Sequence, residues 1–375
     1  MRNAALLMAS VLCFGFARAD GWPTLGHDLL RSGVASSPGP TKGTVAWSTL
    51  VGESLDGSPV VVADRVLVGN TAGRFCCLRR DNGEVVWSRE LPGAIVGAAE
   101  LADGRVFVGC GDGIVYALQS DDGKLLWRHR TNRPVLGGPT CAGGKVLFGS
   151  MDGTFRAVDP TTGRTLWKLD TGAPISAACA VQGDVCYFGD EHGGVHAASI
   201  ADGQVIWSGQ LAGRVIAAPS IAEGKLLVPL MSLSSLGPQK VEFLTAWSLP
   251  DGKKLWTAEP NAASVMGPVA VVGKTVWCFT VESYTSDGHL RGINLDTGQQ
   301  VAEAKMGTLV VDAALAAAGD TLYMAAQNSS VYFMDAASGQ ARKYVRLGAK
   351  VFSSPAIADG RLYIGCQEGK LYCIE

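Results

Sequence analysis

Charge is scarce in this sequence. Asp, Glu, Lys and Arg make up 18% of it, and the two signs nearly cancel, leaving a net charge of −2. Lys and Arg are nowhere clustered, so a nucleic-acid partner is not expected, because phosphates are held by grouped cations. Beyond the N-terminus no run reaches ~18 uninterrupted apolar residues, so no transmembrane helix is expected there. No segment repeats its apolar residues at the helical period. None of the ten cysteines sits at a metal-site spacing. A phosphate-binding glycine loop, a pair of catalytic acids and a Ser-His-Asp set are also missing as recognisable motifs.

Turn residues and apolar residues are plentiful instead. There are 48 glycines, and 47% of the chain is apolar, a combination that suits many short strands rather than disorder. A length of 375 residues would ordinarily mean two or three domains, but repeat folds break that rule.

The first residues read as a secretory leader. Arg2 is followed by an apolar stretch from Ala4 to Ala17, and Ala17-Arg18-Ala19 is a small-residue cleavage site. The alternative, lipidation at Cys13, lacks small residues in Ser10-Val11-Leu12. The expected organisation is a signal peptide over 1–19, an N-terminal extension over 20–40 and one repeat domain over 41–375. The expected location is periplasmic or secreted. Disulfides are permitted there. The odd number of cysteines after the leader would leave one thiol over or paired between molecules.

Trp47, Trp87, Trp127, Trp167 and Trp207 follow one another at intervals of 40 residues. The next in phase are Trp256, then Ala302 and Lys343, where the indole is lost. Such a period means one supersecondary unit repeated in space. Pro139 to Trp167 shows its content. A short apolar segment precedes Gly143-Gly144, Lys145 to Gly149 is β-branched and aromatic, Asp152-Gly153 turns, Thr154 to Val158 alternates, Pro160 to Gly163 turns again, and Arg164 to Leu169 ends the unit. Four strands joined by tight turns make a propeller blade. Inner strands such as Pro59 to Val62 are apolar on both faces, as strands between packed blades should be.

One finer pattern is complete in Ala157, Asp159, Thr162, Gly163 and Trp167. The flat indole is expected to lie over a small residue and a bare glycine peptide and so dock adjoining blades. The six tryptophans of the girdle are therefore structural. The last copy is split. Cys373-Ile374-Glu375 ends the chain where Lys42 to Trp47 would continue it. The prediction is an all-β, eight-bladed propeller of four-stranded antiparallel blades, closed by the N-terminal strand and monomeric.

This repeat, with Gly21-Trp22-Pro23, Asp28, Arg31 and Gly33, resembles the PQQ-type propeller repeat family over roughly residues 20 to 375. The family includes quinoprotein alcohol dehydrogenases and the outer-membrane assembly factor BamB. The resemblance implies the fold; fold alone does not give function. The dehydrogenases add capping loops, a catalytic Asp, Ca²⁺ ligands and often a vicinal cysteine pair. Here the 40-residue units leave no room for a cap, and neither the Asp nor the ligands map onto a position. Cys76-Cys77 falls within a strand, in register with Tyr116-Ala117 and Arg156-Ala157, and reads as small buried residues. In Asp190 to His196 the two histidines stand about 13 Å apart along a strand, too far to share one ion.

The fifth and sixth units lengthen to 49 and 46 residues. Both expansions fall between second and third strands, at about Met231 to Lys240 and Glu282 to His289. That hairpin opens on the face where the links into the innermost strands border the channel. The links carry Asp56, Arg133, Arg214, Asp312, Lys350 and Phe352, the candidate binding residues. The reading is an exported, non-catalytic scaffold that binds a protein or peptide, with envelope assembly as one version and no cofactor. The alternatives are a PQQ- and Ca²⁺-dependent oxidoreductase and a small-ligand or glycan sensor.

Overall fold

The computed structural model of the chain describes residues 21–231, 242–258, 263–265, 267–282, 287–307 and 313–375. Eight antiparallel sheets are arranged as blades in a ring, and no helix appears among the described residues. The first blade runs outward through Val60–Val62, Arg65–Gly69, Arg74–Arg79 and Val85–Glu90. The next three repeat it 40 residues apart, ending in the outermost strands Leu125–Arg130, Thr165–Asp170 and Val205–Gln210. The eighth blade takes Ala356–Ala358, Arg361–Gly365 and Lys370–Ile374 from the C-terminus. Its outermost strand is Val45–Leu50, with Trp47 opposite Cys373. The predicted closure is therefore present, and the C-terminal strand Lys370–Ile374 is paired along both edges.

Second and third strands are buried on both faces because neighbouring blades sandwich them. Val66, Val68, Cys76 and Leu78 pack toward the eighth blade, while Leu67, Phe75 and Cys77 pack toward the second. A bulge interrupts the third-to-fourth pairing in every blade, for example between Ala157 and Val158. Bulges add right-handed twist, which splays the outer strand.

Blade docking follows the expected girdle. The turn in each complete motif is held by its acid: Asp159 Oδ1 accepts from the Thr161 amide at 3.0 Å, the Thr162 amide at 2.7 Å and the Thr162 hydroxyl at 2.9 Å. The following Gly163 has φ +69°, and a Cβ there would lie 2.6 Å from the Trp127 ring. Trp127 Nε1 donates to the Pro160 carbonyl at 2.9 Å. Trp47, Trp87, Trp167 and Trp256 make the same bond to Arg80, Ser120, Ile200 and Leu295, at 2.8 to 3.2 Å. Trp207 lies over Gly252 and stacks on Trp247 with ring centroids 5.9 Å apart.

The sixth blade departs from four strands. The longer unit extends its second and third strands to Thr275–Glu282 and Gly288–Asn294. The added length gives an open edge, and Ala263–Val265 from the incoming link pairs with it as a fifth strand, beside the regular innermost Ala270–Val272. The remainder of the two predicted expansions, 232–240 and 283–286, lies outside the described residues.

Candidate functional site

The N-terminal segment lies against the innermost strands. Innermost strands leave one backbone edge facing the channel, and buried peptide groups need partners. Residues 22–38 supply them. Trp22 exchanges both backbone bonds with Val61 of the first blade, at 2.8 and 2.9 Å. The carbonyls of Leu29, Leu30 and Ser32 accept from Val181, Ile221 and Val271, at 2.7, 2.7 and 3.0 Å. Gly33 and Ala35 pair with Ala317, and Pro38 accepts from Gly360. The strap thus crosses from blade to blade on the lower face, where first and second strands turn.

Arg31 anchors the strap. Its guanidinium is fully buried and donates to the carbonyls of Cys179 at 3.0 Å and Leu25 at 2.6 Å, and to the hydroxyls of Thr24 at 2.5 Å and Thr140 at 2.7 Å. Asp28 takes the Ser32 amide at 3.0 Å and its hydroxyl at 2.7 Å. Gly33 has φ +70°, and a Cβ would meet the Val269 carbonyl at 2.9 Å. The motif residues of the N-terminal segment are therefore strap residues. Their role was not visible in the sequence, because Trp22, Arg31 and Gly33 reach Val61, Thr140, Cys179 and Ala317, far along the chain and in different blades.

The opposite, upper face is formed by the second-to-third-strand hairpins and the links. Two hydrogen bonds pin each of the links into the first five blades. The amides of Leu55, Ile95, Val135, Ile175 and Val215 donate to the hairpin of the preceding blade, at 2.9 to 3.1 Å. The carbonyls one residue earlier, from Ser54 to Lys350 around the ring, accept from their own blade's hairpin at 2.8 to 2.9 Å. The residues that donate these amides, Leu55 to Val215, are buried to within 1%. The next residue in each link is half-buried at the channel mouth: Asp56, Val96, Leu136, Ser176, Ile216 and Phe352.

The sequence-derived candidates fall into three registers of this frame. Asp56 and Phe352 stand at the mouth, and Asp56 accepts from the Ser54 hydroxyl at 2.6 Å. Arg214 and Lys350 stand two residues before the mouth position, and Arg214 is paired with Glu191. Arg133 stands three before it, is exposed, and borders a groove of about 420 Å³ with Met151, Asp152, Ala173 and Pro174. Asp312 lies outside the described residues. The mouth is more apolar than those candidates suggested, because the equivalent positions Val96, Leu136 and Ile216 escaped a search for charge. Alignment of the repeats at the buried link residue would have found them.

Burial tends to raise the Asp152 carboxyl, but the Arg156 guanidinium at 2.7 Å and the amides of Asn132 and Thr154 outweigh it and hold it at about 2. Burial opposes the charge of Asp190 as well; His196 at 2.9 Å and the Gly194 and His192 amides keep it below the ordinary value. His196 Nδ1 also lies 3.1 Å from Ser208 Oγ, so Ser208, His196 and Asp190 are joined in series. The same turn-to-strand strut recurs as Asp112 to Tyr116 and Asp152 to Arg156, which makes the series a support for the hairpin.

Cys76 and Cys77 are both free thiols, not a vicinal disulfide. Cys76 and Cys77 point to opposite faces of their strand, into separate clusters. Burial pushes their thiols up to about 11 and about 12. No group of three or more His, Cys, Asp or Glu able to hold a cation occurs among the described residues. The nine cysteines from Cys76 to Cys373 are all free.

Solved structures similar to the chain share its architecture. BamB from Moraxella catarrhalis superposes with a TM-score of 0.76 at 16% identity, covering 89% of this chain and 99% of that one. The quinohemoprotein alcohol dehydrogenase from Comamonas testosteroni gives 0.73 at 14%, covering 96% and 81%. A europium-containing methanol dehydrogenase gives 0.77 at 12%, covering 95% and 98%. At such identities the likeness is one of fold. No curated protein matches the sequence. The family model described as the β-propeller of the beta-alanine-activating enzyme matches residues 51–375, and the chain belongs to that PQQ-like propeller family.

Proposed function

We propose that the chain is a binding scaffold that takes a protein or peptide partner on its upper face. The observation that carries this reading is the half-buried apolar mouth of Val96, Leu136, Ile216 and Phe352, the first three set on links pinned at both sides, with Asp56, Arg133 and Lys350 around it. Apolar anchors within a polar rim are how protein surfaces gain binding energy. Rigid links lower the ordering cost of association. A leader ending at Ala19 and the likeness to BamB support a place outside the cytoplasm, in envelope assembly.

Selection of displayed peptides on the purified chain tests the reading. Wild type should retain peptides with aliphatic or aromatic anchors. Leu136→Asp together with Phe352→Asp should weaken them at least tenfold, while Lys343→Met on the lower face should leave them unchanged. Retained peptides indifferent to the double change would overturn the assignment of the face. Stoichiometric uptake of PQQ with Ca²⁺, followed by dye reduction with an alcohol, would replace the scaffold with an oxidoreductase.

A further inference from the structure

The girdle has one seam without an indole. At six seams an outermost-strand tryptophan lies over the turn glycine of the next blade: Trp47 over Gly83, Trp87 over Gly123, Trp127 over Gly163, Trp167 over Gly203, Trp207 over Gly252 and Trp256 over Gly298. At the seventh, Trp277 from a second strand fills the space over Gly339. Between the seventh and eighth blades the turn glycine is Gly43, and its neighbours are Lys343 and Val345.

A groove of about 660 Å³ opens there, lined by Pro38, Pro40, Tyr323, Phe333, Arg342 and Lys343 among others. That volume is in the ~300–1,000 Å³ range of small-molecule sites. The chemistry around it is specific. Phe333 stands opposite Lys343 in the ladder, where other blades set a small residue opposite tryptophan, so part of the missing volume is returned as an aromatic wall. Tyr323 forms the second wall, edge-on to Phe333 at 5.0 Å. The Pro40 carbonyl holds the place in the turn of the carbonyls that accept from Trp87, Trp127 and Trp167, and here it accepts from the Tyr323 hydroxyl at 3.1 Å. Lys343 Nζ lies 4.8 Å over the Phe333 ring and donates to the Thr41 carbonyl. Arg342 is neutralised by Asp320 and Asp335, whereas Lys343 makes no ion pair among the described residues.

We propose that this seam groove binds a planar aromatic carboxylate. The ring lies in the groove against Phe333, Tyr323 and the prolines of the strap, beside the Lys343 side chain that stands over Gly43. The carboxylate pairs with Lys343. The site lies on the lower face and is independent of the proposed partner surface.

Indole-3-acetate and neutral indole, titrated into the full chain and followed by saturation-transfer NMR and calorimetry, test the proposal. Wild type should bind the acid saturably and at least tenfold more tightly than indole. Lys343→Met should bring the acid down to the affinity of indole. Lys343→Trp should fill the groove with its own ring, abolish binding of both and raise the denaturation midpoint. Absence of saturable binding to wild type, equal affinity for acid and indole, or undiminished binding by either variant would overturn it. Should Lys343→Trp misfold, the Lys343→Met result decides.

Discussion

Trp277 lies over Gly339 so closely that a Cβ on that glycine would sit 2.8 Å from the indole. The tryptophan is borrowed from a second strand, because the outermost strand of the sixth blade offers only Ala302 at the girdle position. Trp277→Ala is expected to cost about 3–5 kcal/mol, the range for emptying a buried aromatic site. Lys343→Ala, at the seam lacking an indole, should cost about 1 kcal/mol or less, as half-exposed side chains do. Urea unfolding compares the two; equal losses would deny the indole its docking role.

Glycine positions separate backbone strain from packing. Gly163 and Gly144 share φ +69°, but a Cβ at Gly163 meets Trp127 at 2.6 Å and one at Gly144 meets nothing within 4 Å. Gly144→Ala should lose about 1 kcal/mol from the left-handed backbone alone. Gly163→Ala should lose about 2–4 kcal/mol, since overpacking adds to that strain. Denaturation midpoints of the pair read the difference directly.

Arg31→Met keeps the length of the strap anchor and removes its donors. The acceptors at Cys179, Leu25, Thr24 and Thr140 lose a charged partner, a change worth about 1.5–3 kcal/mol per bond at most. Hydrogen exchange should quicken at the amides of Val181, Ile221 and Val271, which donate to the strap. Amides in second and third strands should keep their wild-type protection. Uniform acceleration through the blades would show the strap to be part of the global fold rather than a separately held element.

Two pH limits follow from buried groups. The thiols of Cys76 and Cys77 are raised by burial from an ordinary 9.0 to about 11 and about 12. Their contribution is whole below pH 9.0 and falls as pH rises toward those folded values, because the unfolded chain ionises first. Asp152 runs the other way, held at about 2 against 3.8, so its contribution is lost as pH falls through that window. The urea midpoint should be flat near neutrality and drop at both ends. Thiol reagents at pH 8 should modify the native protein slowly and all nine thiols of residues 21–375 once it is unfolded.

Much of this architecture was legible because its determinants are local and repeated. Asp159, Thr162 and Gly163 close a turn within five residues, and Trp127 finds its partner one period away, so blade count and closure follow from spacing. Trp277 could not be read as a docking residue, since only the fold shows that the space over Gly339 needs a ring. Arg31 was equally opaque: its acceptors come from the strap itself and from two different blades. At the channel mouth the search for charge selected Asp56, Arg133, Arg214 and Lys350, while Val96, Leu136 and Ile216 look like ordinary apolar residues until their register places them at half-buried positions. Phe352 was picked out because an aromatic ring in a loop is conspicuous without any fold.

The strap ties six of the eight blades to one another on a single face, through Val61, Val181, Ile221, Val271, Ala317 and Gly360. The girdle docks adjoining blades through side chains, whereas the strap joins blades far apart in the ring through backbone bonds of one short segment. Residues 22–38 therefore act as a drawstring: loosening one end frees peptide groups in several blades at once.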